Sequence, residues 1–244
     1  MEVGLLFSSL TTFIVFVSSL FLAVLLIRRG RNNGIKSCGY FWLSVSFLWL
    51  FVALRLFFAW SGNQTADKYL FLVGQFFVFV SALPIIYYIF SEISKNGKAL
   101  KVVIGIYGVL GFYALYIIFS RGLGEKVTTY FTTKYTLPLS AQIIFYGLTI
   151  PLIIGLIYLS VRNFLKTKTK EKSVTDFIIP LNTTLFIYLG IIDESGSVTD
   201  WTITFFRLVY VVFVLIIYVF FSAEQSESLY TFIENTENDA KNTN

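Results

Sequence analysis

The chain of 244 residues contains no histidine, a single cysteine and only four prolines, and charged residues make up only 14% of it. Without an imidazole it cannot supply axial ligands for a b-type haem, a histidine-based copper or zinc triad, or the Ser–His pair of an intramembrane protease. With Cys38 alone, an internal disulfide and a thiolate metal cluster are both excluded, and this residue reads as a small buried hydrophobe. Most membrane-enzyme chemistry therefore drops out. The chain reads as non-enzymatic, and neither a cofactor nor a metal is expected.

What fills the chain instead is apolar. Hydrophobic residues make up 56% and aromatic residues 19%, and the mean hydropathy is +0.75, well above what a water-facing globule of this length needs. Seven runs, at 4–27, 39–61, 69–91, 102–120, 138–161, 175–192 and 201–222, are each about long enough to cross a bilayer as a helix. They lack the ten-residue alternation of a membrane barrel, and lipid tolerates no open sheet edge. The expected fold is an all-α, polytopic bundle of seven transmembrane helices. Residues 1–222 would form the membrane domain, and residues 223–244 a short acidic cytoplasmic tail, partly disordered, carrying Glu224, Glu227, Glu234, Glu237 and Asp239.

Lys and Arg sort into alternate gaps. One set of connections holds Arg28, Arg29, Arg31, Lys36, Lys95, Lys98, Lys101, Arg162, Lys166, Lys168, Lys170 and Lys172. The other holds only Lys68, Arg121, Lys126 and Lys134, beside Asp67, Glu125, Asp193, Glu194 and Asp200. The positive-inside rule then puts the N-terminus outside and the C-terminus in the cytoplasm of a cell membrane. The start, Met1-Glu2-Val3-Gly4, has no positive n-region and runs apolar into Arg28-Arg29, which reads as an uncleaved first span. The net charge of +5 concerns the membrane surface, and no nucleic-acid partner is expected.

Charged residues inside spans are costly, and function is usually found near them. Arg55 lies about five residues from Trp60 and Arg207 about six from Trp201, so helix rise puts both about 8–9 Å below the outer interface. Gln75 and Gln142 fall in a similar layer. Two guanidiniums and two amides at one level would suit an anionic small molecule or lipid. Alternatively the arginines snorkel, or pair with Asp67, Asp193, Glu194 or Asp200 and only fix helix packing. Asn182 reads as an interhelical hydrogen-bonding residue. Pro138 should open the fifth helix, while Pro84, Pro151 and Pro180 lie inside spans three, five and six and predict kinks. Gly105, Gly108 and Gly111 predict a close-packing face on span four. Residues Gly124–Lys134, β-branched and aromatic, predict an outer hairpin able to cover a pocket mouth, and Asn63-Gln64-Thr65 is a glycosylation sequon.

The topology invites comparison with microbial rhodopsins, but Trp201–Ser222 contains no lysine for a Schiff base. The turn Arg28-Arg29-Gly30-Arg31, leading into Tyr40-Phe41-Trp42-Leu43-Ser44-Val45-Ser46-Phe47, resembles that of the seven-span sensor regions that precede signalling domains in prokaryotic histidine kinases and related receptors. The resemblance covers the first two spans and the topology. It implies a sensor- or receptor-like module acting through a separate protein partner in the membrane or cytoplasm. The alternatives are an accessory subunit of a larger membrane complex and a small-solute transporter, the latter disfavoured by the lack of an internal repeat and of a midplane acid.

Overall fold

A computed structural model describes residues 2–94, 96–168, 173–194 and 200–242, and the side chains of most of these. Lys95, Lys170 and Lys172, three of the sorted basic residues, lie outside the described residues, as do the side chains of Lys168, Glu194, Asp200 and the acidic tail from residue 225. Seven helices carry the chain: α1 (Glu2–Arg29), α2 (Asn33–Trp60), α3 (Gln64–Ile93), α4 (Gly97–Arg121), α5 (Leu139–Lys168), α6 (Val174–Glu194) and α7 (Asp200–Asn242). Between α4 and α5, β1 (Lys126–Thr128) and β2 (Thr133–Tyr135) form an antiparallel hairpin with Val127 opposite Lys134. Each helix contains a segment apolar enough and long enough to cross a membrane. All are longer than the apolar runs from which they were read, because helix ends are set by caps as well as by hydropathy. Asn32, Asn63 and Asn96 cap α2, α3 and α4 by accepting hydrogen bonds from backbone N–H groups of the first turn. Asn63 of the sequon is therefore engaged as a cap. The acidic tail continues α7 as helix through Asn242.

The helices pack as a closed circuit in chain order, with α7 returning to α1, except that α3 also touches α5 directly and α4 lies outside them. The main core joins Trp42 and Trp49 of α2, Ile85 and Ile89 of α3, Leu156 of α5, Phe186 of α6 and Tyr210 of α7. Phe186 is its centre: its ring meets Trp42 at 4.8 Å, Tyr210 at 4.8 Å and Trp49 at 6.3 Å between centroids, separations at which edge-to-face aromatic pairs attract. By contrast, α4 contributes Ile117 and Ile118 to a small satellite cluster with Ala141. Its outer face exposes Val109, Phe112, Tyr116 and Phe119.

The predicted packing face on α4 is only one-third right. A methyl group built on Gly111 would meet Phe79 of α3 at 3.5 Å, but one built on Gly105 or Gly108 would have nothing within 4 Å. The close approaches occur elsewhere. At Gly39 of α2, a Cβ would lie 2.9 Å from the Ile27 backbone nitrogen of α1, and at Gly4 it would lie 2.3 Å from the Tyr130 carbonyl oxygen of the hairpin tip. Asn182 is also corrected: its side-chain amide donates to Ile178 O of its own helix at 3.1 Å, since a short amide side chain reaches a carbonyl four residues back more easily than a neighbouring helix. The missing amide of Pro180 leaves Asp176 O, four residues upstream, without its helical donor. Asn163 Nδ2 of α5 donates to that oxygen at 2.8 Å, so this proline creates a cross-helix bond.

Charges clasp the bundle at one end. Arg31, in the α1–α2 turn, binds Asp176 Oδ1 of α6 at 2.5 Å and also pairs with Glu224 of α7. Burial pushes the Arg31 pKa down, but hydrogen bonding and charge from Asp176, with Glu224, outweigh it and leave the guanidinium above its ordinary value. Ser173 and Asp176 bond reciprocally, at 3.3 Å in each direction, as a capping box at the start of α6. Nearby, Arg162 of α5 donates to Glu92 O of α3 at 2.7 Å.

Gly39→Ala should lower the thermal midpoint of the protein in micelles, by overpacking worth about 1–3 kcal/mol. Gly105→Ala should leave the midpoint unchanged or raise it slightly, because its Cβ meets nothing and alanine is the better helix former by about 1 kcal/mol. Circular dichroism melts of the two variants compare these expectations directly.

Candidate functional site

At the end opposite Arg31, the buried carboxylate of Asp67 organises the local structure. It sits in the first turn of α3 and has no exposed surface. Arg55 Nε of α2 donates to its Oδ1 at 3.2 Å, and Lys126 Nζ of β1 lies 2.8 Å from Oδ2. Thr133 Oγ1 donates to Oδ1 at 3.3 Å and Tyr135 OH to Oδ2 at 3.0 Å, both from β2. Arg55 also donates through one terminal nitrogen to the Thr133 hydroxyl at 2.9 Å and to the Thr133 carbonyl, and its guanidinium stacks over Phe71 at 4.7 Å. Two helices and both strands thus meet at one acid. For Arg55 the pairing alternative raised by the sequence is therefore realised.

This network docks the hairpin onto the helix ends. Phe131 at its tip is buried, edge-on to Trp201 of α7 at 5.0 Å and to Phe7 of α1 at 6.4 Å, while Tyr130 rests on Gly4. Lys134 reaches the other way, 3.7 Å from Asp193 Oδ1 at the end of α6 and bonded to the Asp193 carbonyl.

Beneath the hairpin lies a cavity of about 210 Å³, walled by α2, α3, α5, α6, α7 and β2. Arg55, Gln75, Lys134, Asp193 and Arg207 line its hairpin end. The structure thus brings together three of the four residues expected to bind an anion. The fourth, Gln142, is not among the lining residues; its amide donates to Leu137 O at 2.8 Å and is used at the start of α5, where Pro138 supplies the carbonyl that accepts from Ala141 N and Gln142 N. Pro84, Pro151 and Pro180 all fall on helices that wall the cavity.

Arg207 differs from Arg55. It is 2% exposed, its only hydrogen bond among the described residues goes from one terminal nitrogen to Ser8 O of α1 at 3.2 Å, and Nε has no partner. No carboxylate of the described residues lies within ion-pair distance of it. Thr204 Oγ1 and Tyr210 OH, three residues to either side on α7, and Ser8 Oγ are also buried without partners. Gln75 is 7% exposed, lines the cavity and makes no side-chain hydrogen bond among the described residues. Sequence reasoning missed the Asp67–Tyr135–Lys126 hub, although acid, phenol and amine were all visible in it, because nothing in one sequence pairs a helix start with a hairpin about sixty residues later.

The fold and site together define an all-α bundle of seven long apolar helices with a hairpin-covered cavity that carries a buried guanidinium at its polar end. Comparison of the chain with models of known families, with curated proteins and with solved structures finds no match.

Asp67→Asn should cost about 3–5 kcal/mol, because it removes the counter-charge of a buried pair and leaves Arg55 uncompensated. The same variant provides a local probe. Burial, then the charge of Asp67 and the hydrogen bond to it, push the Tyr135 phenol up to about 12, against the opposing pull of Arg55. A folded-state pKa raised above the ordinary value of about 10 gives stability that is complete below pH 10 and lost as the pH rises toward 12. Ultraviolet titration should show one late-ionising tyrosine fewer in Tyr135→Phe than in the parent, and that tyrosine should ionise earlier in Asp67→Asn.

Proposed function

We propose that the chain is a multi-pass integral membrane protein, N-terminus outside and C-terminus in the cytoplasm, that works as a non-enzymatic sensor- or receptor-like module for an anionic ligand. Two features support the membrane reading. Large apolar side chains are exposed on every helix, Phe21, Phe57, Phe76, Phe112, Ile154, Tyr188 and Phe205 among them, in an amount that water would not tolerate without aggregation. The basic residues also sort by connection, and the connections they favour share the end held by Arg31, Asp176 and Glu224.

One observation carries the ligand reading: Arg207 is a buried guanidinium on the cavity wall whose Nε has no partner, and which has no counter-charge within ion-pair distance, among the described residues. Removing a cation from water without a partner costs several kcal/mol. A bound anion would offset that cost, and Gln75 offers an amide donor on the same cavity. Arg55, already matched by Asp67, serves to hold the hairpin over the site. Because α2, α3, α5, α6 and α7 all wall the cavity, occupancy is sensed by most of the bundle, and α7 leads from it to the cytoplasmic tail.

A second reading, as a subunit of a larger membrane complex, is favoured by the outer face of α4, where Gly105 and Gly108 would let another helix approach closely. Purification from native membranes with one constant partner would support it.

The single cysteine is buried, so introduced thiols can be read against a quiet background. Val127→Cys on the hairpin should react with a membrane-impermeant maleimide on intact cells, and Lys166→Cys only after lysis; the reverse pattern would invert the topology. For the site, benzoate is a suitable probe of the nanodisc-embedded protein. Arg207→Gln should weaken its binding about tenfold or more, as expected for losing a charge-assisted hydrogen bond, while Arg207→Lys should retain most of it. Equal binding by the parent and Arg207→Gln would eliminate the anion site.

A further inference from the structure

Resting on the anion site proposed at Arg207, we infer that its ligand is a singly charged amphiphile: a carboxylate head at Arg207 and Gln75, and an unbranched apolar chain lying in the shaft between α2, α3, α5 and α6. The cavity is polar at one end only. Along α2 its lining runs from Arg55 down to Phe41, fourteen residues or about 21 Å of helix. Its volume is about 210 Å³.

Below Gln75 and Arg207 the walls offer little to a polar ligand. The hydroxyls of Ser81 and Thr149 line the cavity, but each donates to a carbonyl of its own helix, Val78 O at 2.8 Å and Phe145 O at 2.7 Å. The remaining lower wall is built on the apolar Ile85, Leu152 and Phe186 and on the Trp49 indole, whose buried Nε1 is its one polar atom without a hydrogen-bond partner among the described residues. A compact hydrophilic anion would occupy the head and leave this shaft unfilled. An uncharged chain would fill the shaft and leave Arg207 uncompensated.

Charge balance sets the valence of the head. Among the described residues, Lys134 on the cavity wall is paired with Asp193 and Arg55 with Asp67, while Arg207 has no carboxylate within ion-pair distance. Lys126, the other partner of Asp67, does not line the cavity. One carboxylate completes the set. A planar guanidinium also accepts a carboxylate through two donors, and Nε is one of them.

The test uses the full chain in phosphatidylcholine nanodiscs, with empty discs as reference. Straight-chain carboxylates from butyrate to tetradecanoate are compared with the matching 1-alkanols. Binding is read from the tryptophan emission change that is absent in a Trp49→Phe control. Affinity should rise about three- to fourfold per methylene until the shaft is full, then level off, and each carboxylate should bind at least tenfold tighter than its alcohol. Arg207→Gln should erase the preference for carboxylate and keep the dependence on length. Ala82→Leu, at a lining position of α3 seven residues below Gln75, should do the opposite, keeping the preference for carboxylate and ending the rise with chain length sooner.

Affinity independent of chain length overturns the amphiphile while leaving the anion site, provided that Arg207→Gln still weakens butyrate. Loss of the head preference in neither variant overturns both. If Arg207→Gln does not fold, Gln75→Leu keeps the charge and removes the amide; carboxylate binding should then fall severalfold with the alcohols unchanged, and no change in the carboxylate would overturn the assigned head position.

Discussion

The buried carboxylate of Asp67 decides where one whole end of the bundle goes. A single acid with no exposed surface has to have its negative charge matched, and here two cations, a phenol and a hydroxyl converge on its two oxygens. Since those donors come from α2, β1 and β2, satisfying the acid brings α2 and α3 into register and draws the hairpin down over the helix ends. The hairpin has only three residues per strand, and an isolated two-stranded ribbon is marginal in water. Its order comes from being bolted to Asp67 at its base and wedged by Phe131 between α1 and α7 at its tip. The roof of the cavity is therefore a consequence of one ion-pair network.

The two arginines inside the spans show how environment divides chemically identical groups. Arg55 faces an acid, a threonine and two aromatic rings, and its charge is spent on structure. Arg207, about as far from its end of the bundle, has among the described residues one carbonyl partner and an unpartnered Nε beside the cavity. A low effective dielectric makes matched pairs stronger and unmatched charges costlier, so the same burial that makes Arg55 an anchor makes the Arg207 charge costly to hold.

Much of the architecture was legible because it follows from hydropathy alone. Seven apolar runs of about twenty residues can form only helices in lipid, and all seven helices form where expected. The shared level of Arg55, Gln75 and Arg207 was legible for the same reason, since rise per residue converts sequence distance into depth. Rotation was not. Gln142 has the right depth but is not among the cavity-lining residues, and Gly105 and Gly108 have the spacing of a packing motif but nothing within reach of a Cβ, while the glycines that do allow close approach, Gly4 and Gly39, sit outside any repeating pattern. A spacing shows that residues share a helix face; only the neighbouring helices show what that face meets. The Asp67 hub was hidden for a related reason, because its partners are separated along the chain by loops whose direction depends on the packed result.

Helix α7 is 43 residues long and contains no proline, in contrast to α3, α5 and α6. At about 1.5 Å per residue it is roughly 64 Å long, about twice the hydrocarbon thickness of a bilayer. Arg207 on the cavity wall and Glu224 in the Arg31 clasp are seventeen residues apart on this one element. A proline-free helix keeps its backbone hydrogen bonds unbroken and does not shorten, so the two contacts are mechanically in series along one rod.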